Sequence, residues 1–225
     1  MALAAVNDTA PSRSPGYWAG VWRRFSGDRL AVGAGIVIVL IILMAVFADY
    51  IAPADPTKSS MLRRLKPIGT PGYPLGSDEL GRDMLSRLIH GARLSLFMGV
   101  TPVFIAFAIG SVLGIAAGFF GGRVNALIMR TIDVFYAFPS VLLAIALSGA
   151  LGAGVFNSLL SLTIVFIPPI ARIAESVTTQ VRAMDYIDAA RASGAGALRI
   201  IQVHVLGNVL GPIFIYATSL ISVSM

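Results

Sequence analysis

The chain has 225 residues, of which 56% are hydrophobic and only 12% charged, and its mean hydropathy is +0.83; a water-soluble domain of this size does not carry such a balance. A net charge of +6 raises nucleic acid as a partner, but the arginines are scattered between apolar stretches rather than gathered on one polar face, which argues against it. With no cysteine, a disulfide framework, a thiolate nucleophile and a cysteine metal site are all excluded.

In chain order, residues 1–20 are polar, contain proline and lack periodicity, so they are expected to form a disordered cytoplasmic tail. Five stretches then approach the ~20 apolar residues that a membrane-crossing helix needs: Ala31–Ile51, Leu94–Phe120, Ala126–Leu151, Leu159–Val177 and Val205–Met225. The first follows "WRRFSGDRL" and is too long for the apolar core of a cleaved signal peptide, so it reads as a retained signal anchor. Placing Arg13, Arg23, Arg24 and Arg29 in the cytoplasm puts Arg123, Arg130, Arg172, Arg182, Arg191 and Arg199 there as well. Residues 52–93 then lie outside, where Lys58, Arg63, Arg64, Lys66, Arg82, Arg87 and Arg93 are mixed with Asp55, Asp78, Glu79 and Asp83.

That outer segment contains "PLGSDELGRDMLSRLIHGARLSL". Ser77 is placed as an N-cap, Asp78 and Glu79 fall in a first turn, and Gly91 stands where a short helix would stop. Leu80, Met84 and Leu88 recur at four-residue spacing, which predicts an amphipathic helix that packs at the interface or meets an external partner.

Within the spans, Gly110, Gly114 and Gly118 give two overlapping G-x-x-x-G spacings, which allow close helix approach whether for packing or for transport. Pro139 is expected to interrupt the third span, and Pro168 with Pro169 to break the fourth; these three are the candidate gating or kink positions. Asp133 follows Arg130 by three residues, which suits a structural ion pair at a span end, with a proton relay as the other reading.

Hydrolytic and metal chemistry find no support. The only lysines are Lys58 and Lys66, and neither follows the glycines of a phosphate-binding loop. There is no G-x-S-x-G elbow and no H-E-x-x-H, so no catalytic residue and no metal site are assigned.

Near the end stands "DAARASGAGALRIIQVHVLGN", from Asp188 to Asn208. Asp185 and Asp188 suit the start of a short helix, the alanines favour it, and Gly194 and Gly196 end it before "ALRIIQVHVL" begins a second. Small side chains ringed by Arg182, Arg191 and Arg199 fit either the docking of a partner or a solvated connector.

At this point the "DAARASG" run followed by "HVLGN" resembles the coupling-loop signature of ABC-importer permeases. Together with "PLGSDELGRDMLSRLIHGARLSL" and "FFGGRVNALIMRTIDVFYAFPSVLLAIAL", it is similar to the C-type permease of the dipeptide, oligopeptide and nickel importers, from about Trp22 onward. The resemblance implies an all-α polytopic membrane protein with the type I ABC-importer permease fold, five helices here of an expected six, since such permeases continue past the apolar span in which Met225 lies. It implies a permease domain over residues 21–225 with a cytoplasmic coupling loop at about 178–204. Asp188, Ala189, Ala190 and Gly194 would be the coupling elements, flanked by Arg191 and Arg199.

Such a subunit works in a bacterial cytoplasmic membrane, surrounded by lipid and with its N-terminus inside. Its implied partners are a second homologous permease, two ATPase subunits that carry ATP and Mg, and an external substrate-binding protein; the chain itself needs no cofactor. Short peptides are the expected cargo, with nickel chelates or glutathione-like solutes as alternatives, and a passive channel or membrane scaffold as the reading from another class. Two positions depart from the family pattern: Asp188 stands where Glu is usual, and Gly207 where a proline is expected.

Overall fold

The structure, a computed structural model, describes residues 17–225, and its regular elements are helices. The chain divides into two compact units, one reaching to Arg93 and one from Leu94 to Met225.

In the first unit, α1 (Tyr17–Gly27) is followed by α2 (Arg29–Val46). Asp28 caps α2, its carboxylate accepting from the backbone N–H groups of Leu30 at 2.9 Å and Ala31 at 3.2 Å, which satisfies two of the donors that a helix start leaves open. The expected tail is therefore corrected at its end: Tyr17 to Gly20 belong to α1, a stretch without the proline and the short polar residues that disfavour a helix in the residues before it. The rest of that expected tail lies outside the described residues. From Ile36 to Leu43 the side chains of α2 are exposed and apolar, as a lipid-facing helix requires. After Phe47 the short α3 (Ala48–Ile51) ends the apolar run. Arg93 closes this end of α2 by donating to the carbonyls of Ala45 at 3.0 Å and Val46 at 3.1 Å and to Asp49 at 3.2 Å.

Residues 78–83 form polar turns rather than the start of the expected short helix, whose later part, Met84 to Gly91, belongs to the next long helix. Ser77 accepts from the N–H of Lys66 at 2.8 Å and donates to the carbonyl of Arg63, tying residues 60–66 to 77–82. The Asp78 carboxylate turns back onto the N–H groups of Leu80 at 2.9 Å and Arg82 at 2.8 Å, and Gly81 has φ +70°, a conformation no helix contains. Asp83 is the true cap: its buried carboxylate accepts from the Ser86 N–H at 2.7 Å and hydroxyl at 2.6 Å. From there α4 (Met84–Phe120) runs unbroken for 37 residues. Gly91 does not stop it, because a helical glycine costs only about 1 kcal/mol, less than opening backbone hydrogen bonds next to hydrocarbon.

In the second unit, α5 (Gly122–Tyr136) and α6 (Ser140–Leu151) meet at 86° with Pro139 as the N-cap of α6. The third expected span is thus a bent pair, and four or five crossings are available by length and composition. Around α7 (Val155–Arg182) pack α5, α6 and α10 (Leu206–Ser224). Pro168 and Pro169 lie inside α7 without ending it, contrary to the expected break. Proline removes the donors that would have reached the carbonyls of Ile164 and Val165, yet the neighbouring turns continue the helix on both sides.

Close approach of α4 and α7 follows from the glycine stripe. A Cβ at Gly110 would lie 3.0 Å from the Ile170 side chain, one at Gly114 2.3 Å from the Ala171 carbonyl oxygen, and one at Gly118 2.7 Å from the Glu175 carbonyl oxygen. Phe166, Ile170 and Ala174 of α7 and Val209, Ile213 and Ala217 of α10 recur every four residues and supply the core, each helix burying one narrow stripe.

Candidate functional site

At the end of α7 the chain turns through Ala183 and Met184 into α8 (Asp185–Ala192). Asp185 and Asp188 occupy its first turn and Arg191 its last, so charges of both signs complement the helix dipole. Arg191 donates to Asp188 at 3.1 Å. The helix ends in a Schellman arrangement: Gly194 takes φ +80°, its N–H reaches the Arg191 carbonyl at 2.9 Å, and the Ala195 N–H reaches the Ala190 carbonyl at 3.1 Å. Gly194 therefore does what its position in the sequence suggests. Gly196 instead caps α9 (Ala197–Ile200).

One face of α8 is fixed to the body. Ile187 is fully buried in the same core as Phe119, Val181 and Ile200, with Ala190 and Ala195 packed against it. The guanidinium of Arg191 lies 5.7 Å from the centre of the Phe119 ring. The opposite face presents Asp185, Asp188, Ala189 and Ala192 to solvent. Two of the predicted coupling residues, Asp188 and Arg191, line a shallow cavity of about 360 Å³ with Thr179, Arg182 and Ala183. Arg199 is exposed on α9 and is not among that cavity's lining residues.

Sequence reasoning missed the parts that hold this helix. Tyr186 accepts from the Asn208 amide at 3.3 Å, and Asn208 also donates to the His204 carbonyl at 2.7 Å. These contacts join α8 to the start of α10, across a π-helical turn at Ile201–Val205, a distortion often found at functional sites. Arg182 reaches the Gly118 carbonyl at 3.4 Å, and Asn125 bonds both the Ala117 carbonyl at 3.3 Å and Glu175 at 2.7 Å. The open end of α4 is thereby closed by side chains from α5 and α7. Apolar periodicity marks Ile187 as buried, but Tyr186 lies 22 residues from Asn208 and Glu175 50 residues from Asn125, beyond any local pattern.

Gly207 lies within α10 with no atom within 4 Å of a Cβ built there. The helix continues through it without the proline.

A second cavity, of about 370 Å³, collects all three prolines singled out in the sequence: Pro139, Pro168 and Pro169 line it together with Tyr136, Phe138 and Tyr216. One turn from it stands an ion pair, but not the expected Arg130–Asp133. Asp133 pairs with Arg172 of α7, whose guanidinium also lies 5.8 Å from the centre of the Tyr136 ring. A base three residues before an acid is the weaker order on a helix, and the guanidinium from the facing helix wins.

Comparison with known proteins gives the context for this geometry. Residues 110–225 match the family described as binding-protein-dependent transport system inner membrane component. Residues 16–67 match the N-terminal TM domain of oligopeptide transport permease C. The chain is 41% identical over 202 residues to the di/tripeptide transport system permease protein DppC of Pseudomonas aeruginosa, covering 88% of this chain and 67% of that protein. It is 38% identical over 198 residues to the probable D,D-dipeptide transport system permease protein DdpC of Escherichia coli, covering 88% and 66%. To the glutathione transport system permease protein GsiD of Pectobacterium atrosepticum it is 36% identical over 208 residues, covering 92% and 69%. The chain spans about two thirds of the length of these relatives. An all-helical membrane chain with these matches belongs to the binding-protein-dependent inner membrane components, and within them it is a C-type permease subunit of an ABC importer.

Proposed function

We propose that the chain carries short peptides across the bacterial cytoplasmic membrane, with α8 as the element that receives the motion of separate ATPase subunits. The observation that carries the coupling role is the two-faced build of α8: Ile187 roots it in the core, while Asp188 and Ala189 stay exposed between a helix-dipole-matched start and the turn at Gly194. Such a helix moves as a rigid handle, because its buried side cannot slip without opening a cavity. ATP and Mg belong to the two ATPase partners, a second homologous permease completes the path, and an external binding protein delivers the solute. The N-terminus is cytoplasmic, in keeping with Arg23, Arg24 and Arg29 before the first span.

Peptides are favoured as cargo because relatives at 41% and 38% identity are named for di/tripeptides and D,D-dipeptides. Glutathione-like solutes are the second reading, favoured by the relative named for glutathione. Reconstituting the complete importer in liposomes tests both. The expected result is ATP-dependent dipeptide uptake that stops when Gly194 is replaced by Glu; uptake that survives this change, or flux without any ATPase, contradicts the coupling role. Import of glutathione in preference to dipeptides replaces the cargo.

A further inference from the structure

The aromatic cavity and the ion pair beside it have a chemistry of their own. Asp133 precedes Tyr136 by three residues on α5, and Arg172 follows Pro168 by four on α7, so on both helices the charges lie one turn from the cavity lining. Neither side chain is sealed: Arg172 is 45% and Asp133 53% exposed. Charges on helices long and apolar enough to span a membrane must face protein or water rather than lipid, and there they mark solute paths. The cavity volume of about 370 Å³ is at the small end of the roughly 300–1,000 Å³ of small-molecule sites. Rings and prolines make up most of its walls, with aliphatic side chains between them, which suits small side chains, and Val165, whose carbonyl lost its helical donor to Pro169, is among the lining residues.

We propose that this cavity with Asp133 and Arg172 is a transient docking station for a zwitterionic dipeptide, resting on the peptide reading above. Arg172 exchanges Asp133 for the peptide carboxylate, Asp133 takes the ammonium, and the side chains lie among Tyr136, Phe138 and Tyr216. No covalent bond changes; one ion pair is replaced by two, and it re-forms when the peptide leaves. The resident pair keeps the empty site electrically balanced, so that neither charge is stranded between cycles.

The test uses the complete importer in liposomes. Asp133→Asn and Arg172→Gln are each expected to lower dipeptide uptake per ATP hydrolysed about tenfold, equivalent to about 1.4 kcal/mol, while subunit assembly is kept, and Arg172→Lys is expected to recover most of the uptake. A readout that a purely structural pair would not move is thiol protection. This chain has no cysteine, and Ser140 lines the cavity, so the thiol of Ser140→Cys is expected to react with a small thiosulfonate reagent more slowly when dipeptide is being imported. That protection disappears in the Arg172→Gln background. Normal uptake per ATP in both neutral variants, or a Ser140→Cys thiol indifferent to dipeptide, overturns the proposal; the thiol measurement decides if the neutral variants fail to assemble. A wild-type importer that moves no dipeptide overturns the peptide reading and this proposal with it, whereas wild-type uptake with indifferent variants overturns this proposal alone.

Discussion

At Gly114, the Cβ of any larger residue would fall 2.5 Å from the Cβ of Ala174 as well as 2.3 Å from the Ala171 carbonyl oxygen, and neither neighbour can swing away. Gly114→Val is expected to push α4 from α7 and to destabilise the subunit by about 1–3 kcal/mol, read as a lower melting temperature of the purified complex. A Cβ built at Gly91 would meet no neighbouring side chain or helix within 4 Å, and the residue sits inside a continuous helix. Gly91→Ala is expected to be neutral or stabilising by about 0.4–1 kcal/mol in the same measurement. The two outcomes separate a packing glycine from one that merely happens to be in a helix, a distinction the G-x-x-x-G spacing foreshadows and only the facing residues settle.

Asp78 yields a prediction of another kind. Hydrogen bonds from the backbone N–H of Arg82 and Leu80, aided by the charges of Arg82 and Arg87, hold its carboxyl below the ordinary 3.8. A lowered folded-state value means that the carboxylate supports the outer segment above pH 3.8 and that this support fades as pH falls through the lowered value. Proteolysis of residues 60–82 is therefore expected to be flat between about pH 5 and 7 and to rise below about pH 4. In Asp78→Ala the segment is expected to be open at every pH.

Among the elements, α8 is the most finely specified. Gly194→Asn is expected to retain coupling, because asparagine tolerates the left-handed conformation, whereas Gly194→Ala loses about 1–2 kcal/mol at φ +80° and lowers uptake per ATP hydrolysed. Ile187→Ala removes the root of the handle, at a cost of about 2–5 kcal/mol, and is expected to leave ATP hydrolysis running with little transport. Much of this element was legible beforehand: acids in the first turn, alanines in the body and glycine at the end are local chemistry. The start of α4 was not. Ser77, Asp78 and Glu79 look like a helix start, but Asp78 folds back onto Arg82 and the cap passes to Asp83. Side chains of this type stabilise turns and caps alike, and the choice depends on residues 60–66 meeting 77–82. Asp133 teaches the same lesson, since its partner Arg172 is 39 residues away.

For the whole molecule, composition points to a membrane chain, the long apolar stretches to helices, and three ordered motifs to a resemblance with the family that the comparisons then show. What the sequence hid is how the second unit assembles its polar parts. Glycines of α4 let α7 approach, Arg182, Asn125 and Glu175 close the end of α4, and Phe119 of α4 lies beneath Arg191 of α8. A movement of α8 thus has a packed route into α7, and through α7 to the cavity lined by Pro168 and Pro169. The central claim is that the exposed face of α8 meets an ATPase subunit. It is tested most directly by placing a single thiol at Ala189, in a chain that has no other, attaching a short photo-crosslinker and identifying the captured subunit in the reconstituted importer by mass spectrometry. Capture of the ATPase, with loss of transport on crosslinking, is the predicted result; a crosslinker that captures no ATPase while dipeptide uptake proceeds would contradict it.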